Sequence, residues 1–322
     1  MNPHIHTARR AWPVAVIAAL IFLTVPAAAQ EALKVRDAQG RQVTVKNTAR
    51  IISIGGAITE ILYAVGMEDR IVGVDITSLY PARAMKEKPN VGYMRQLSPE
   101  GVLGLGPTLV LANDGAGPKE AVTVLESASV PFVRIPDHFT AEGIVERIRL
   151  VTAAVGVPAR GECLAKEVNA GLSRLSSLRA DISKRARVIF ILSFTDGKAT
   201  VAGRGTAADG IIKLAGAVNA FSDFEGYKMV SDEAIVNAQA DAVLGMKRSN
   251  FDMTPDEVFK YPAFGMTPAA KSKKYISMDG LYLLGFGPRT AQAASDLAHA
   301  IYPSLAPDKP VAENAGTASC RE

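Results

Sequence analysis

The stretch 97-LSPEGVLGLGPTLVLA-112 returns 133 residues later as 230-VSDEAIVNAQADAVLG-245, and this repeat decides the fold. In both stretches a serine suited to cap a helix precedes an acid in the first turn, a short helical pattern and an apolar run of strand type. Ser98 matches Ser231, Glu100 matches Glu233, and each strand contains Val-Leu. The shared order of these features predicts two lobes of similar topology.

Outside the repeat, each lobe alternates short β-branched runs with helical periodicity. The runs RIISI (50–54), RIVGVD (70–75) and TLVLAN (108–113) are typical of buried strands, and RVIFILS (187–193) restarts the pattern in the second half. Strand–helix–strand spacing this short favours parallel pairing with helical crossovers. The sequence therefore predicts an α/β fold with two Rossmann-like lobes and parallel-type sheets.

Between the lobes, residues 140–184 carry almost only helical pattern. A helix over ARGECLAKEVNAGLSRLSSLRADIS (159–183) would be about 40 Å long. It predicts a single long helix that joins the lobes, with a ligand cleft between them. The predicted boundaries are a signal peptide at 1–29, an N-terminal lobe at 30–157, the linking helix at 158–184, a C-terminal lobe at 185–310 and a flexible tail at 311–322.

The N-terminus has the three parts of a secretory signal. Arg9 and Arg10 precede an apolar run from Val14 to Val25, and Ala27–Ala29 forms a small-residue cleavage site. A membrane anchor is the alternative, although the run is shorter than the roughly 20 residues that span a bilayer. We predict cleavage after Ala29 and a periplasmic protein.

Composition excludes several classes of function. Removal of 29 residues from 322 leaves 293 and lowers the net charge from +4 to +2, with no basic tract, which argues against nucleic acid as a partner. Only His138 and His299 remain as imidazoles, too few for a zinc or manganese capture site. The sequence leaves open whether Cys163 and Cys320 form a disulfide. We expect a monomer.

Catalytic motifs are absent from the sequence. It contains no G-x-S-x-G, no histidine metal motif and no P-loop, and GRGTAADG (203–210) departs from the spacing of a phosphate loop. A turn into a helix capped by Thr206 explains that segment equally well. We expect no enzyme, and an exported α/β enzyme remains a distant alternative.

Three segments resemble the haem-binding periplasmic proteins of bacterial haem uptake ABC transporters. They are RIISIGGAITEILYAVGMEDRIVGVDITSLYP, PNVGYMRQLSPEGVLGLGPTLVLANDGAGP and LLGFGPRT, and the resemblance covers roughly 40–305. These proteins are helix-linked (class III) substrate-binding proteins, a class that also captures cobalamin and iron-siderophores. The resemblance implies a haem carrier, and a siderophore or cobalamin binder is the alternative.

The resemblance implies that Tyr93, in the motif GYMR, is the axial ligand of the iron of ferric haem b. A free phenol has a pKa of about 10, but ferric iron stabilises the phenolate, and tyrosine is a known haem ligand. Arg95 would help to hold the anion. From the residues alone, both side chains fit an ordinary surface loop. Tyr80 is the second candidate ligand. Some relatives have a histidine of the second lobe as a further axial ligand, but this chain has no histidine between His138 and His299, so we expect five-coordinate iron.

Haem also has two propionates and broad apolar faces. Lys247 and Arg248 follow a strand where a parallel sheet opens into a cleft, and Arg289 lies at a helix start, where an anion is favoured. All three are candidate propionate contacts or, alternatively, solvated charges. The candidate apolar contacts, for which core packing is the alternative, are Met94, Met246 and Phe286.

Glu100 and Glu233 are the matching acids of the repeat. In the helix-linked class a glutamate on each lobe binds arginines of the membrane permease, so the resemblance implies that these two dock the inner-membrane ABC permease and its ATPase. The alternative is a favourable interaction with the helix dipole, worth some tenths of a kcal/mol.

Overall fold

The computed structural model describes residue 1 and the ranges 32–195, 197–247, 253–305 and 320–321. Apart from Met1, the predicted signal peptide lies outside these ranges. Residues from Ala32 onward form one compact unit. In the described part of the chain, no helix is both long and apolar enough to cross a membrane.

The first lobe begins with a separate hairpin of two strands and continues with alternating strands and helices. Its elements are β1 (Leu33–Arg36), β2 (Gln42–Val45), β3 (Ile51–Ile54), α1 (Gly56–Ala64), a 3-10 turn (Glu68–Arg70), β4 (Ile71–Val74), α2 (Ala84–Glu87), α3 (Pro99–Leu103), β5 (Leu109–Asn113), α4 (Lys119–Ser127), β6 (Phe132–Ile135) and α5 (Ala141–Ala154).

The sheet of the first lobe has four parallel strands in the order β4-β3-β5-β6. All four residues of β3 are buried, as expected for a central strand covered by helices on both faces. Ile51 belongs to the apolar cluster that contains α1 and α5, while Ile52 belongs to the cluster on the opposite face. The predicted parallel lobe is therefore confirmed here.

The second lobe follows α6 (Pro158–Ala180), and its six strands form a single sheet, whereas those of the first lobe divide into a hairpin and a four-stranded sheet. Its elements are β7 (Arg187–Thr195), β8 (Lys198–Ala202), α7 (Ala207–Leu214), β9 (Val218–Asn219), β10 (Tyr227–Met229), α8 (Asp232–Asn237), β11 (Ala242–Lys247), α9 (Pro255–Lys260), α10 (Pro262–Gly265), α11 (Pro268–Lys271), β12 (Tyr275–Asp279), α12 (Gly280–Leu284) and α13 (Thr290–Ile301).

The second sheet is mixed, so the prediction of parallel-type sheets was incomplete. Strands β9-β7-β11-β12 are parallel and repeat the order of the first lobe. The strand β7 continues beyond the predicted RVIFILS, and its outer half pairs antiparallel with β8, which in turn pairs with β10. A tight reversal into β8 is possible because Gly197 adopts a φ of 74°.

The repeat that predicts two lobes is confirmed in its details. Ser98 accepts a hydrogen bond from the Gly101 amide at 3.3 Å, and Ser231 accepts one from the Ala234 amide at 3.2 Å. The acids Glu100 and Glu233 are each the second residue of the helix so capped. The strands β5 and β11 follow at the same spacing.

The long helix α6 has 23 residues, about 35 Å, and packs against both lobes. It ends at Ala180, four residues before the predicted boundary. Its residue Cys163 forms a disulfide with Cys320. Cys320 is buried and Arg321 contacts the first lobe, so the predicted flexible tail does not include these two residues.

Arg147 of α5 fastens the first lobe to the second from a fully buried position. It donates hydrogen bonds to the Pro136 carbonyl and Asp137 in its own lobe and to the carbonyls of Gly285 (3.0 Å) and Phe286 (2.9 Å) in the other. A single guanidinium thus satisfies buried acceptors of both lobes.

Replacing Arg147 should destabilise the protein strongly. In Arg147→Ala the Asp137 carboxylate loses its ion pair and three carbonyls lose the guanidinium as donor, at a cost of about 3–5 kcal/mol in the free energy of unfolding measured with urea. Arg149→Ala, on the same helix with an exposed side chain, is the matched control and should leave stability unchanged. Equal stability of the two variants would contradict a role for Arg147 in joining the lobes.

Candidate functional site

Two tyrosines lie in neighbouring loops at the carboxyl edge of the first sheet. Tyr80 lies in the loop between β4 and α2. In this loop the Ile76 amide donates to the Gly92 carbonyl at 2.9 Å. Val91 pairs with Val74 in the same way, at 2.9 Å. These hydrogen bonds hold the Tyr80 loop beside the turn that contains Tyr93.

Tyr93 is half-buried, in a turn that backbone hydrogen bonds fix on both sides. Gly92 has a φ of 95°, which glycine adopts readily, and the Gln96 amide donates to the Tyr93 carbonyl. Met94 and Leu97 exchange backbone hydrogen bonds with Gly117. No hydrogen bond within the described residues involves the Tyr93 phenol, which leaves its oxygen available to a ligand.

Arg95 is exposed, and nothing in the described structure joins it to Tyr93. Its charge acts instead on Asp137. Burial raises the pKa of Asp137, and the charge of Arg147, a hydrogen bond from Gly115 and the charge of Arg95 oppose the increase. Stabilisation of a Tyr93 phenolate by Arg95 therefore stays a prediction.

The same edge exposes two large apolar side chains that the sequence analysis missed. Ile76 and Leu79 are 42% and 52% exposed, in the loop between β4 and Tyr80. Their signal was in the sequence: ITSLYP places apolar residues in a loop after a strand, where polar residues are usual. Because Tyr80 of this loop contacts the second lobe, these side chains lie close to the interlobe boundary.

Arg289 crosses between the lobes and stacks on Tyr80. Its Cζ lies 3.6 Å from the centroid of the Tyr80 ring and 5.1 Å from that of Tyr282. Its Nε and Nη2 donate to the two carboxylate oxygens of Glu60 at 3.0 Å each, and its backbone amide donates to Glu60 at 3.2 Å. Arg289, a predicted propionate contact, therefore already uses one edge of its guanidinium to bind Glu60 of α1.

The electrostatics of this pair follow from its burial. Burial raises the pKa of the Glu60 carboxyl, while the hydrogen bonds and charge of Arg289 oppose the increase. The Nη1 nitrogen of Arg289 has no hydrogen-bond partner among the described residues. Its N–H groups, with the second N–H of Nη2, form a free edge that fits one further carboxylate. Glu60 gave no signal in the sequence because it lies within an apolar helical pattern.

The other predicted site residues divide between cleft edge and core. Lys247 is exposed at the end of β11, opposite Asp279, and Met246 is half-buried beside it. Arg248 lies outside the described residues. Phe286 is fully buried and packs on Phe139 at 5.2 Å between ring centroids.

Met94 is also buried, in the core cluster of the first lobe. For Met94 and Phe286 the structure therefore supports the core alternative. Glu100 and Glu233 are both exposed at the starts of α3 and α8.

Two α/β lobes joined by a packed helix, with half-buried and exposed side chains at the strand ends, form the architecture of a substrate-binding protein. The chain belongs to the periplasmic binding protein family, whose model matches residues 51–281.

The chain is similar to several proteins that bind substrates for transport. The periplasmic heme-binding protein RhuT from Roseiflexus sp. RS-1, solved in apo form, is 38% identical with a TM-score of 0.74 over 80% of this chain and 99% of its own.

An ABC transporter substrate-binding lipoprotein of Bacillus subtilis (strain 168), YvrC, is 27% identical over 83% of this chain and 84% of its own. A vitamin B12-binding protein of Pectobacterium carotovorum subsp. carotovorum (strain PC1) is 26% identical over 77% and 86%.

Replacing Arg289 should make stability depend on pH through Glu60. Arg289→Gln removes the positive charge that counteracts the effect of burial on Glu60. The pKa of Glu60 therefore rises further above its ordinary value of 4.5. An acid whose folded pKa is raised stabilises the fold while protonated, and that stability is lost as the pH rises through the folded pKa. The free energy of unfolding of Arg289→Gln should therefore fall, relative to the native protein, across the pH range from 4.5 upward.

Urea unfolding across this range measures the effect, and carbon NMR of the Glu60 carboxyl follows its titration. Arg289→Lys keeps the charge and should show a smaller dependence on pH. The same pH dependence in the native protein and Arg289→Gln would show that Arg289 does not control Glu60.

Proposed function

We propose that this protein is a periplasmic haem carrier, a monomer that captures haem b between its lobes and delivers it to an ABC permease. The observation that carries the proposal is Tyr93, whose phenol is free at the carboxyl edge of the first sheet. The similarity to RhuT, a heme-binding protein at 38% identity over nearly its whole length, supports the same ligand.

Tyr93 would bind the ferric iron through its oxygen. The turn that holds it is fixed by backbone hydrogen bonds, so the backbone of Tyr93 is in place before the ligand arrives. Ferric iron displaces the phenolic proton because a bound cation inverts the usual preference for the neutral form. The chain has no histidine between His138 and His299, so Tyr93 is the one protein ligand in this proposal.

The apolar faces and the propionates would meet different residues. Ile76 and Leu79 offer exposed apolar surface to the porphyrin, whose burial is favourable at about 25 cal/mol per Å². Lys247 and Arg248 at the end of β11, with the free edge of Arg289, would hold the propionates. Arg95 and Met246 complete the site, and Tyr80 serves through its stack on Arg289 rather than as an iron ligand.

Delivery would use the two exposed acids, one on each lobe. Glu100 and Glu233 occupy the same position in equivalent helices, so a two-fold arrangement of permease arginines could bind both. The similarity to an ABC transporter substrate-binding lipoprotein supports a permease and its ATPase as partners. The protein binds and releases, and it performs no chemical step.

Removing the Tyr93 phenol oxygen should abolish iron ligation while sparing the porphyrin surface. Tyr93→Phe should bind ferric haem more than about 100-fold more weakly, since even outer partners of metal ligands contribute roughly 10–100-fold. It should also lose the charge-transfer band of phenolate-bound iron in the absorption spectrum. Metal-free protoporphyrin should bind Tyr93→Phe and the native protein equally.

Tyr80→Phe is the matched control and should keep the native spectrum. Leu79→Ser should lower the affinity for both haem and metal-free protoporphyrin by roughly tenfold. Val124 is an equally exposed apolar residue on α4, and Val124→Ser should leave both affinities unchanged. Absence of haem binding by the native protein would refute the proposal. A native spectrum of haem-bound Tyr93→Phe would show that the protein binds haem but that Tyr93 is not the iron ligand.

Cobalamin is the second candidate ligand, favoured by the similarity to a vitamin B12-binding protein. The same titration with cyanocobalamin decides between the two. Tight binding of cyanocobalamin, with no change in the haem spectrum on titration, would show that the ligand is a cobalamin and not haem.

Removing both docking acids should slow transport without affecting capture. In Glu100→Ala/Glu233→Ala, haem uptake by vesicles containing the permease should fall by roughly tenfold or more, since truncating a charge paired across an interface costs about 2–5 kcal/mol. Haem affinity should stay native. Glu120→Ala removes an exposed glutamate at the second position of α4 and is the control. Loss of haem affinity in the double variant would contradict a docking role.

A further inference from the structure

The last described residues of the chain are attached to the linking helix and to the first lobe. Cys320 is buried and bonded to Cys163 of α6, across a sequence separation of 157 residues. The next residue, Arg321, donates through Nη2 to the Tyr63 carbonyl at 2.7 Å and to Glu68 at 2.8 Å. The disulfide thus places a cation at the end of α1.

The helix α1 supplies no cation of its own at this end. The last carbonyls of a helix lack partners within it and carry partial negative charge. The last turn of α1 has no basic residue. Arg321 binds the Tyr63 carbonyl, and Arg160 of α6 binds the Val65 carbonyl at 3.0 Å. Both cations therefore come from α6, one of them through the disulfide.

Glu68 extends the attachment into the turn that follows α1. Its Oε1 accepts hydrogen bonds from Arg321 and, at 2.9 Å, from Arg83. Burial acts to raise the pKa of Glu68, but hydrogen bonds from its own backbone and from both arginines, with the charge of Arg321, outweigh burial and lower the pKa. The carboxylate is therefore ionised at neutral pH, and Arg321 is one of the groups that keep it so.

We propose that the Cys163–Cys320 disulfide is a redox-dependent clamp that holds Arg321 against the end of α1 and that closes only in an oxidising compartment. Closure removes two electrons and two protons from the two thiols. A thiol-exchange oxidant accepts them, as its own disulfide becomes two thiols. The reduced chain keeps the fold of both lobes but releases Arg321 from Tyr63 and Glu68.

The surroundings of the sulfurs favour the closed state. A carboxylate oxygen of Glu167, one turn along α6, lies within 4.8 Å of both sulfurs. Its negative charge opposes the approach of a thiolate and disfavours the thiolate leaving group that reduction would produce. The proposal concerns the fold rather than ligand capture, so it does not depend on haem.

Amide hydrogen exchange of the mature protein, without ligand, tests the clamp. The amides of Val65 and Met67 are hydrogen-bonded at the end of α1, and the amide of Val110 in β5 is a remote reference. Reduction with a phosphine should speed exchange at Val65 and Met67 by about tenfold or more relative to Val110. The thermal midpoint should fall on the order of 5–10 °C, because a long closed loop is opened.

Two variants separate the bond from the arginine. Cys163→Ser/Cys320→Ser should match the reduced protein and no longer respond to the reductant. Arg321→Ala keeps the disulfide and should speed exchange at Val65 and Met67, while Arg185→Ala, an exposed arginine, should change nothing. Unchanged exchange after reduction would overturn the clamp, as would thiol labelling of both cysteines in unreduced protein. Native exchange in Arg321→Ala would overturn the role of the arginine.

Discussion

The attachment of the segment 285–289 to the first lobe is the constraint on which the interlobe geometry depends. Arg147 donates to the carbonyls of Gly285 and Phe286, and Glu60 accepts both the amide and the guanidinium of Arg289. Each contact places a charge where water is largely excluded, so neither partner can separate without leaving a buried charge or polar group unpaired. The two lobes therefore meet in a defined orientation at this segment.

That orientation determines which side chains a ligand can reach. With Arg289 bound to Glu60, the Tyr80 ring is covered by a guanidinium, while Tyr93 in the adjacent loop keeps a free oxygen. The exposed apolar surface of Ile76 and Leu79 lies on the same edge. One buried ion pair thus gives these two tyrosines different surroundings.

The helix α1 links this edge to the opposite end of the lobe. It carries Glu60 toward the second lobe and ends at carbonyls that Arg160 and Arg321 bind. All nine of its residues are buried, as are all four residues of the central strand β3. The disulfide and the interlobe ion pair therefore act on a single rigid helix, although they lie far apart in sequence.

The sequence by itself determined the two lobes, the linking helix and the equivalence of Glu100 and Glu233, because periodicity and caps are local. The role of Tyr93 in GYMR came from a resemblance and stays a prediction. The sequence did not reveal the antiparallel strands β8 and β10, the burial of Phe286 or the partnership of Glu60 with Arg289. Those features join residues up to 229 positions apart, and a side chain's partner at that distance depends on how the two lobes pack. Only the tertiary structure decides whether an arginine faces a ligand or an acid of its own chain.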